Sequence, residues 1–190
     1  ELPERENIGK ASYTLMLYEY KDGLNNYFAS RPNSPIQSIE DLIAFNRENA
    51  DQEMPFFGQE HLERAAEMGS LEEPEYLEAL EQVTLNARNA IDNALAAHNL
   101  DALMGITGGP SWTIDVVNGD HFGMGSSSPA AQSGYPNITV PAGYVGELPV
   151  GVSFFAGRYE EPKLIGIAYD FEQATQVRRA PKFLKTLPTE

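Results

Sequence analysis

The hydrophobic pattern of this chain changes near Leu100, and that change limits the folds available to it. Before Leu100, apolar residues recur three and four positions apart, which is the period of one helical face. After it, short apolar runs are separated by glycine and proline, a pattern typical of strands. We therefore predict an α/β fold with helices packed on a mixed β-sheet. Residues 1–190 should form a single unit, mainly helical over 1–100, with strands, a long loop and a terminal helix over 101–190.

The first hundred residues contain several candidate helices. One apolar face is marked by residues spaced four, three, four and three apart: Tyr13, Leu17, Tyr20, Leu24 and Tyr27. Ser38 and Asp41 form a capping-box-like pair at the start of a second helix. A third, short helix should end at Gly69. The longest begins at Pro74, within an acidic first turn, and reaches about His98.

The second half contains three candidate strands. The run 101–107 ends at two glycines and a proline, which favours a buried strand. The strands "NITVPAG" and "LPVGVSFFAG" should form a hairpin through Gly143–Glu147, with Gly146 available for a positive φ. A terminal helix should follow Pro162, carry Arg178 and Arg179 in its last turn, and stop before Pro181.

Charge and composition exclude several classes of partner. The chain has 28 acidic and 13 basic residues and a net charge of −15, so it lacks the basic surface that nucleic acid requires. It has no cysteine, which excludes disulfides and thiolate chemistry. No run approaches the roughly 20 apolar residues that a membrane span needs. We expect a soluble protein, with the cytoplasm favoured.

The segment between the first two strands, residues 108–136, is rich in residues that can carry chemistry. It contains a histidine, two aspartates and several serines among glycines. It lacks the G-x-S-x-G core of a nucleophile elbow and the Gly-Lys-Ser/Thr of a phosphate loop. Asp115, Asp120 and His121 make a weak metal-ligand set, and we expect no metal or cofactor. From the residue types alone, such serines more often cap a helix, here one that starts near Ser128, than carry chemistry.

Several motifs resemble the amidase signature family, and specifically its peptide amidase-like branch. The main match is "SSSPAAQSGYPNITVPAGYVGELPVGVSFFAG" followed by "FEQAT", in the order found at the C-terminal end of that family. Upstream, "LYEYKDGLNNYFAS", "MPFFGQEHLERA" and "AIDNALAAHNLDALMGITGG" also resemble it. The resemblance covers nearly the whole chain. It implies that the chain is the C-terminal part of an α/β/α amidase sandwich.

The resemblance also implies a reaction, namely hydrolysis of a carbon–nitrogen amide bond through a serine acyl-enzyme. The family's two catalytic serines, its general-base lysine and its oxyanion segment lie N-terminal to the matched region. Ser126, Ser127 and Ser128 run into Pro129 instead of further glycines, and Lys10 and Lys21 should be exposed beside the first helix. We therefore expect no catalytic residue here and no activity from the chain alone.

What this portion should supply is a wall of the substrate pocket. Candidate substrate-binding residues lie in the long loop: Trp112, Asp115, Asn118, Asp120, His121, Ser126 and Ser127. The expected partners are a small-molecule or peptide amide and the N-terminal part of an amidase. Without that part, an uncovered sheet edge should favour self-association. The alternative is a noncatalytic binding or assembly module that keeps only the amidase-like shape.

Overall fold

The structure is a computed structural model that describes residues 8–186. The described chain forms seven helices and three strands, in the order α1 Ile8–Ala29, α2 Ile39–Glu48, α3 Ala50–Glu53, α4 Glu60–Ala66, α5 Pro74–His98, β1 Leu103–Ile106, α6 Ser128–Ser133, β2 Asn137–Val145, β3 Leu148–Phe155 and α7 Glu161–Thr175. The predicted change from helices to strands after Leu100 is confirmed. None of the described helices is long and apolar enough to cross a membrane.

The described residues divide into two compact units, 8–83 and 84–186, with the boundary inside α5. In the first unit, α1, α2 and α4 meet around Leu17, Ile39, Ile43 and Ala65. The predicted cap of α2 is confirmed, because the Ser38 side chain accepts a hydrogen bond from the Asp41 N–H at 3.1 Å. The organisation of residues 1–190 as a single unit stays a prediction.

The buried face of α1 differs from the predicted one. Leu17 is buried as expected, but Tyr20 and Tyr27 are exposed, and Tyr18 and Phe28 are buried instead. The Tyr18 hydroxyl donates to Glu73 at 2.9 Å, a contact with a residue 55 positions away. Because Glu73 lies outside α1, the spacing of apolar residues within the helix could not predict that Tyr18 would face inward.

Lys21 also departs from the prediction of solvent exposure. It lies inside α1 and is partly buried, and its ammonium group donates to the carbonyl oxygens of Ala66, at 3.0 Å, and Met68. Helix α4 ends at Ala66, before the predicted Gly69, and leaves carbonyl groups without partners inside the helix. The long lysine side chain caps that end.

In the second unit, the three strands form an antiparallel sheet in the order β1-β3-β2. The α/β class is confirmed, but no parallel pair is present among the described strands, so this part of the sheet is not mixed. The predicted β2–β3 hairpin is confirmed, with Gly146 at φ 57°. Its turn is shorter than predicted, because pairing continues as far as Val145 and Leu148.

The two faces of the sheet are covered by different helices. On one face, Val152 and Phe154 of β3 pack against Leu164 and Ala168 of α7. On the other, Phe155 packs with Ile91 of α5 and Ala130 of α6. The helices α5 and α6 therefore cover the second face near Phe155. The strands extend beyond the covered area towards the end of β1.

Helix α7 is shorter than predicted. It ends at Thr175, where Gln176 takes a left-handed conformation, so Arg178 and Arg179 lie beyond its last turn. Arg179 instead packs on Tyr144 of β2. Its N–H donates to the Tyr144 hydroxyl at 2.9 Å, and its guanidinium lies 3.6 Å from the ring centroid. The segment after α7 thus contacts the hairpin.

Candidate functional site

The long loop leaves the sheet at the end of β1 and returns beside its starting point. Gly108 and Gly125 pair across this neck as an isolated antiparallel bridge. Residues 109–124 form the loop beyond the neck, and α6 begins at Ser128, as predicted, although the Ser127 side chain at its N-terminus makes no capping hydrogen bond. The neck therefore holds the two ends of the loop next to Thr107 on one side and Ser126 on the other.

Asp115 and Asn118 build a tight turn within the loop. The Asp115 Oδ1 atom accepts from the N–H groups of Val117, at 2.9 Å, and Asn118, at 2.8 Å, and Oδ2 accepts from the Asn118 side chain at 2.8 Å. These bonds, led by the Asn118 N–H, lower the pKa of Asp115 to about 2. His121 Nε2 lies 3.6 Å from Oδ2. Asp115 is therefore an ionised carboxylate whose oxygens hold the turn.

Trp112 and Asp120 pair elsewhere in the same loop. The indole N–H donates to Asp120 Oδ1, and the indole ring meets Phe122 edge-on with ring centroids 6.2 Å apart. Trp112 is 42% exposed, so it is not a core residue beneath the loop. The pair instead fixes one aromatic face at the surface, where a ligand can reach it.

The loop also exposes aliphatic side chains. Ile114 and Val117 are 89% and 86% exposed, and Phe122 and Met124 are exposed as well. Several exposed apolar residues within one loop are consistent with an interaction or ligand surface. The described residues contain no group of three or more histidine, aspartate or glutamate side chains that could hold a metal ion.

Ser126 and Ser127 lie at the neck and differ in their surroundings. The Ser126 Oγ atom is buried and has no hydrogen-bond partner among the described residues. Ser126 sits directly over Gly105 of β1, where a Cβ atom on the glycine would come 2.8 Å from the serine Cβ. Ser127 instead lines an open pocket. Within residues 8–186, neither serine hydrogen-bonds a histidine or lysine side chain that could act as its base.

That pocket contains three hydroxyl groups that sequence reasoning missed. We call Thr107, Thr139 and Ser153 the hydroxyl cluster: Ser153 Oγ lies 2.8 Å from the Oγ1 atoms of both threonines. The cavity has a volume of about 430 Å³ and is lined by Thr107, Ser127, Ala130, Ala131, Gly134, Tyr135, Asn137, Thr139 and Ser153. The alternation of Gly151 and Ser153 with larger residues along β3 was the available signal, because it marks one strand face as made of small residues.

The structure thus brings the predicted site residues together in three groups. Asp115, Asn118 and His121 share the turn, and Trp112 pairs with Asp120. Ser126 and Ser127 lie at the neck, where Ser127 adjoins the hydroxyl cluster. The first two groups present a mixed polar and apolar loop surface, and the third lies beside an uncharged pocket. The arrangement can bind and orient a ligand, whereas no activated nucleophile is visible at Ser126 or Ser127.

The relatives found by comparison with known proteins are named as amidases. No family model matches the chain. It is 39% identical to a protein of Arabidopsis thaliana named as a probable amidase, over 89% of this chain and 30% of the relative. The structure of native peptide amidase from Stenotrophomonas maltophilia superposes with a TM-score of 0.87 at 43% identity, covering 96% of this chain and 37% of that one.

A more distant solved structure supports the same comparison. An amidase family protein from Bacillus anthracis superposes with a TM-score of 0.73 at 27% identity, over 96% of this chain and 32% of the other. The chain therefore spans about a third of the length of the relatives it matches.

Proposed function

We propose that this chain, which belongs to the amidase signature family, forms the C-terminal portion of an enzyme that hydrolyses a carbon–nitrogen amide bond. The observation that carries the proposal is its similarity in sequence and structure to a peptide amidase over nearly its whole length. The finer proposal is that the substrate is an amide at the C-terminus of a peptide.

In this proposal the chain supplies one wall of the substrate pocket and none of the catalytic groups. Among the described residues, no base is hydrogen-bonded to Ser126 or Ser127, and a serine nucleophile needs one within hydrogen-bond reach. The loop offers contacts of the kind that orient a ligand: the exposed Trp112 ring, the His121 imidazole and aliphatic side chains. Such contacts contribute binding that the ground and transition states share. The nucleophile, its base and the oxyanion donors would come from the N-terminal part of an amidase.

The partner of this chain would be that N-terminal part. Met104 and Ile106 of β1 are exposed although they lie on the sheet face that α7 covers elsewhere. Strand β1 is also an edge strand of the described sheet. An exposed apolar edge favours pairing with another chain, and we expect the isolated chain to self-associate for that reason.

A chimera tests the proposal. The matching third of the Stenotrophomonas maltophilia peptide amidase is replaced by this chain, and ammonia release from a peptide amide is measured. We expect turnover by the chimera and none by this chain alone. A chimera that folds and remains inactive would contradict the hydrolase proposal and favour a noncatalytic binding module. Turnover by the isolated chain that Ser127→Ala abolishes would instead place catalysis in the neck.

The same chimera tests the role of the loop. Trp112→Ala should raise KM by about 2- to 13-fold, the range for one lost neutral contact, and should lower kcat by less than that. Tyr169→Ala removes a similarly exposed ring from the outer side of α7 and serves as the matched control. A large fall in kcat with an unchanged KM at His121→Ala would show instead that the imidazole acts in the transition state.

A further inference from the structure

We propose that the hydroxyl cluster of Thr107, Thr139 and Ser153 is a binding subsite for an uncharged amide group, and that it discriminates an amide from the corresponding carboxylate. The choice of amide rests on the proposed function, because hydrolysis converts the first group into the second. The subsite itself rests on the geometry of three neighbouring strands.

The cluster is built across the whole width of the described sheet. Ser153 lies on the central strand β3, with Thr139 opposite it on β2, and Thr107 follows directly after β1. Ser153 is only 2% exposed, whereas Thr139, which also lines the pocket, is exposed. The buried serine therefore links two threonines that are closer to solvent.

The hydrogen-bonding capacity of the cluster matches an amide. Each hydroxyl group has one proton to donate and can accept two hydrogen bonds. The two contacts of 2.8 Å use two of the three protons, while the two threonine oxygens are 3.4 Å apart, a long contact. The third O–H group, which is held only by this long hydrogen bond from Thr107 to Thr139, and several lone pairs therefore remain available to a ligand. An amide has both an acceptor oxygen and a donor N–H, whereas a carboxylate can only accept.

The surroundings of the cluster disfavour a charged ligand. Among the residues that the structure describes, no lysine, arginine, histidine, aspartate or glutamate lines the pocket. Arg88 and Asp92 lie outside this lining; Arg88 donates through Nε to the Ser133 carbonyl at 2.9 Å, and Asp92 accepts from the Tyr135 hydroxyl at 2.8 Å. A carboxylate placed against this lining would exchange part of its hydration for hydroxyl groups without contacting a cation, which is unfavourable. A carboxylate product would therefore leave more readily than an amide substrate.

Glycine keeps this face open. A Cβ atom on Gly151 would come 2.9 Å from Thr107 Oγ1 and 3.0 Å from Thr139 Cγ2. Any larger residue would displace the two threonines that flank Ser153. The glycine thus preserves the spacing on which the third O–H group depends.

Binding of a matched ligand pair to the 190-residue chain tests the subsite. The probes are an N-acetyl dipeptide amide and the same dipeptide as its free acid, titrated at pH 7 and followed by NMR chemical shifts. We expect the amide to bind at least about tenfold more tightly than the acid, which corresponds to a difference in binding free energy of at least about 1.4 kcal/mol. Thr139→Val should weaken amide binding by about 2- to 13-fold, the loss of one neutral hydrogen bond. Thr175→Val removes a hydroxyl that bonds only the Phe171 carbonyl in α7, and should change nothing.

Three results would overturn the subsite: equal affinity for amide and acid, unchanged affinity in Thr139→Val, or no saturable binding of either probe. The chimera separates this failure from failure of the proposed function. If it turns over a peptide amide and Thr139→Val leaves both KM and inhibition by the acid unchanged, the function stands and the subsite falls. If it is folded but inactive while the chain still prefers the amide, the subsite stands and the hydrolytic function falls.

Discussion

The contact between Gly105 and Ser126 allows a quantitative test of the neck beneath the loop. In Gly105→Ala the new Cβ atom would lie 2.8 Å from Ser126 Cβ and 3.2 Å from its Oγ. Because the first of these atoms is attached directly to the backbone, the neck itself must move. Overpacking of this kind costs about 1–3 kcal/mol. Replacing a strand glycine otherwise stabilises by about 0.5–1 kcal/mol, so we expect a net loss of up to about 2.5 kcal/mol.

The opposing residue provides the second half of a double-mutant cycle. Ser126→Gly removes the Cβ atom that the alanine would meet. In that background Gly105→Ala should no longer destabilise and should gain about 0.5–1 kcal/mol. Gly166→Ala is the matched control, because nothing lies within 4 Å of its Cβ position in α7. It should stabilise by about 1 kcal/mol through helix propensity alone.

Urea unfolding followed by far-UV circular dichroism and by fluorescence measures these changes. The chain has a single tryptophan, Trp112, which lies in the loop above the neck, so fluorescence also reports whether the loop moves. The reasoning fails if Gly105→Ala stabilises the protein as Gly166→Ala does. It also fails if Ser126→Gly does not relieve the loss, because then the two residues are not in contact.

Three further predictions concern charged and titratable groups. Asp115 should titrate near pH 2 by ¹³C NMR, and Asn118→Ala should raise the pKa of Asp115. Because the folded pKa is lowered, the ionised Asp115 stabilises the turn above the ordinary pKa of 3.8, and this stabilisation is lost as the pH falls through about 2. The hydrogen bond to Glu73 is the main cause that raises the pKa of Tyr18 to about 12, so Tyr18 should remain protonated in an absorbance titration until about that pH, and Glu73→Gln should lower its pKa. The protonated Tyr18 stabilises the folded state below pH 10, and this stabilisation is lost as the pH rises through 12. Lys21→Met should reduce the free energy of unfolding in urea by about 1–2 kcal/mol, because two carbonyl groups lose a charged donor, whereas the exposed Lys10→Met should change it by less than about 0.5 kcal/mol.

The site was predictable as a region and not in its detailed roles. The length of the loop and its residue types pointed to 108–136, and the motifs pointed to an amidase. They did not indicate that the Asp115 carboxylate would accept hydrogen bonds from neighbouring N–H groups, or that Trp112 would pair with Asp120 at the surface. Those outcomes depend on backbone directions inside an irregular loop, for which no periodic pattern exists.

What the sequence determined by itself is the set of features that depend on near neighbours. Helix α5 begins at Pro74 and ends at His98 as predicted, because a first-turn proline and a regular apolar stripe act within a few residues. The Ser38 cap and the turn at Gly146 are local in the same sense. Such preferences are present in the chain before any long-range contact forms.

The tertiary structure alone decided the features that join residues distant along the chain. Lys21 caps a helix 45 positions away, and this partner turned a residue expected at the surface into a partly buried one. The hydroxyl cluster needs three strands in one register, which places Thr107 and Ser153 within 2.8 Å across 46 positions. A hydroxyl group on a strand looks the same in sequence whether it faces solvent or another hydroxyl, because its free energy is set by the partner that strand pairing brings to it.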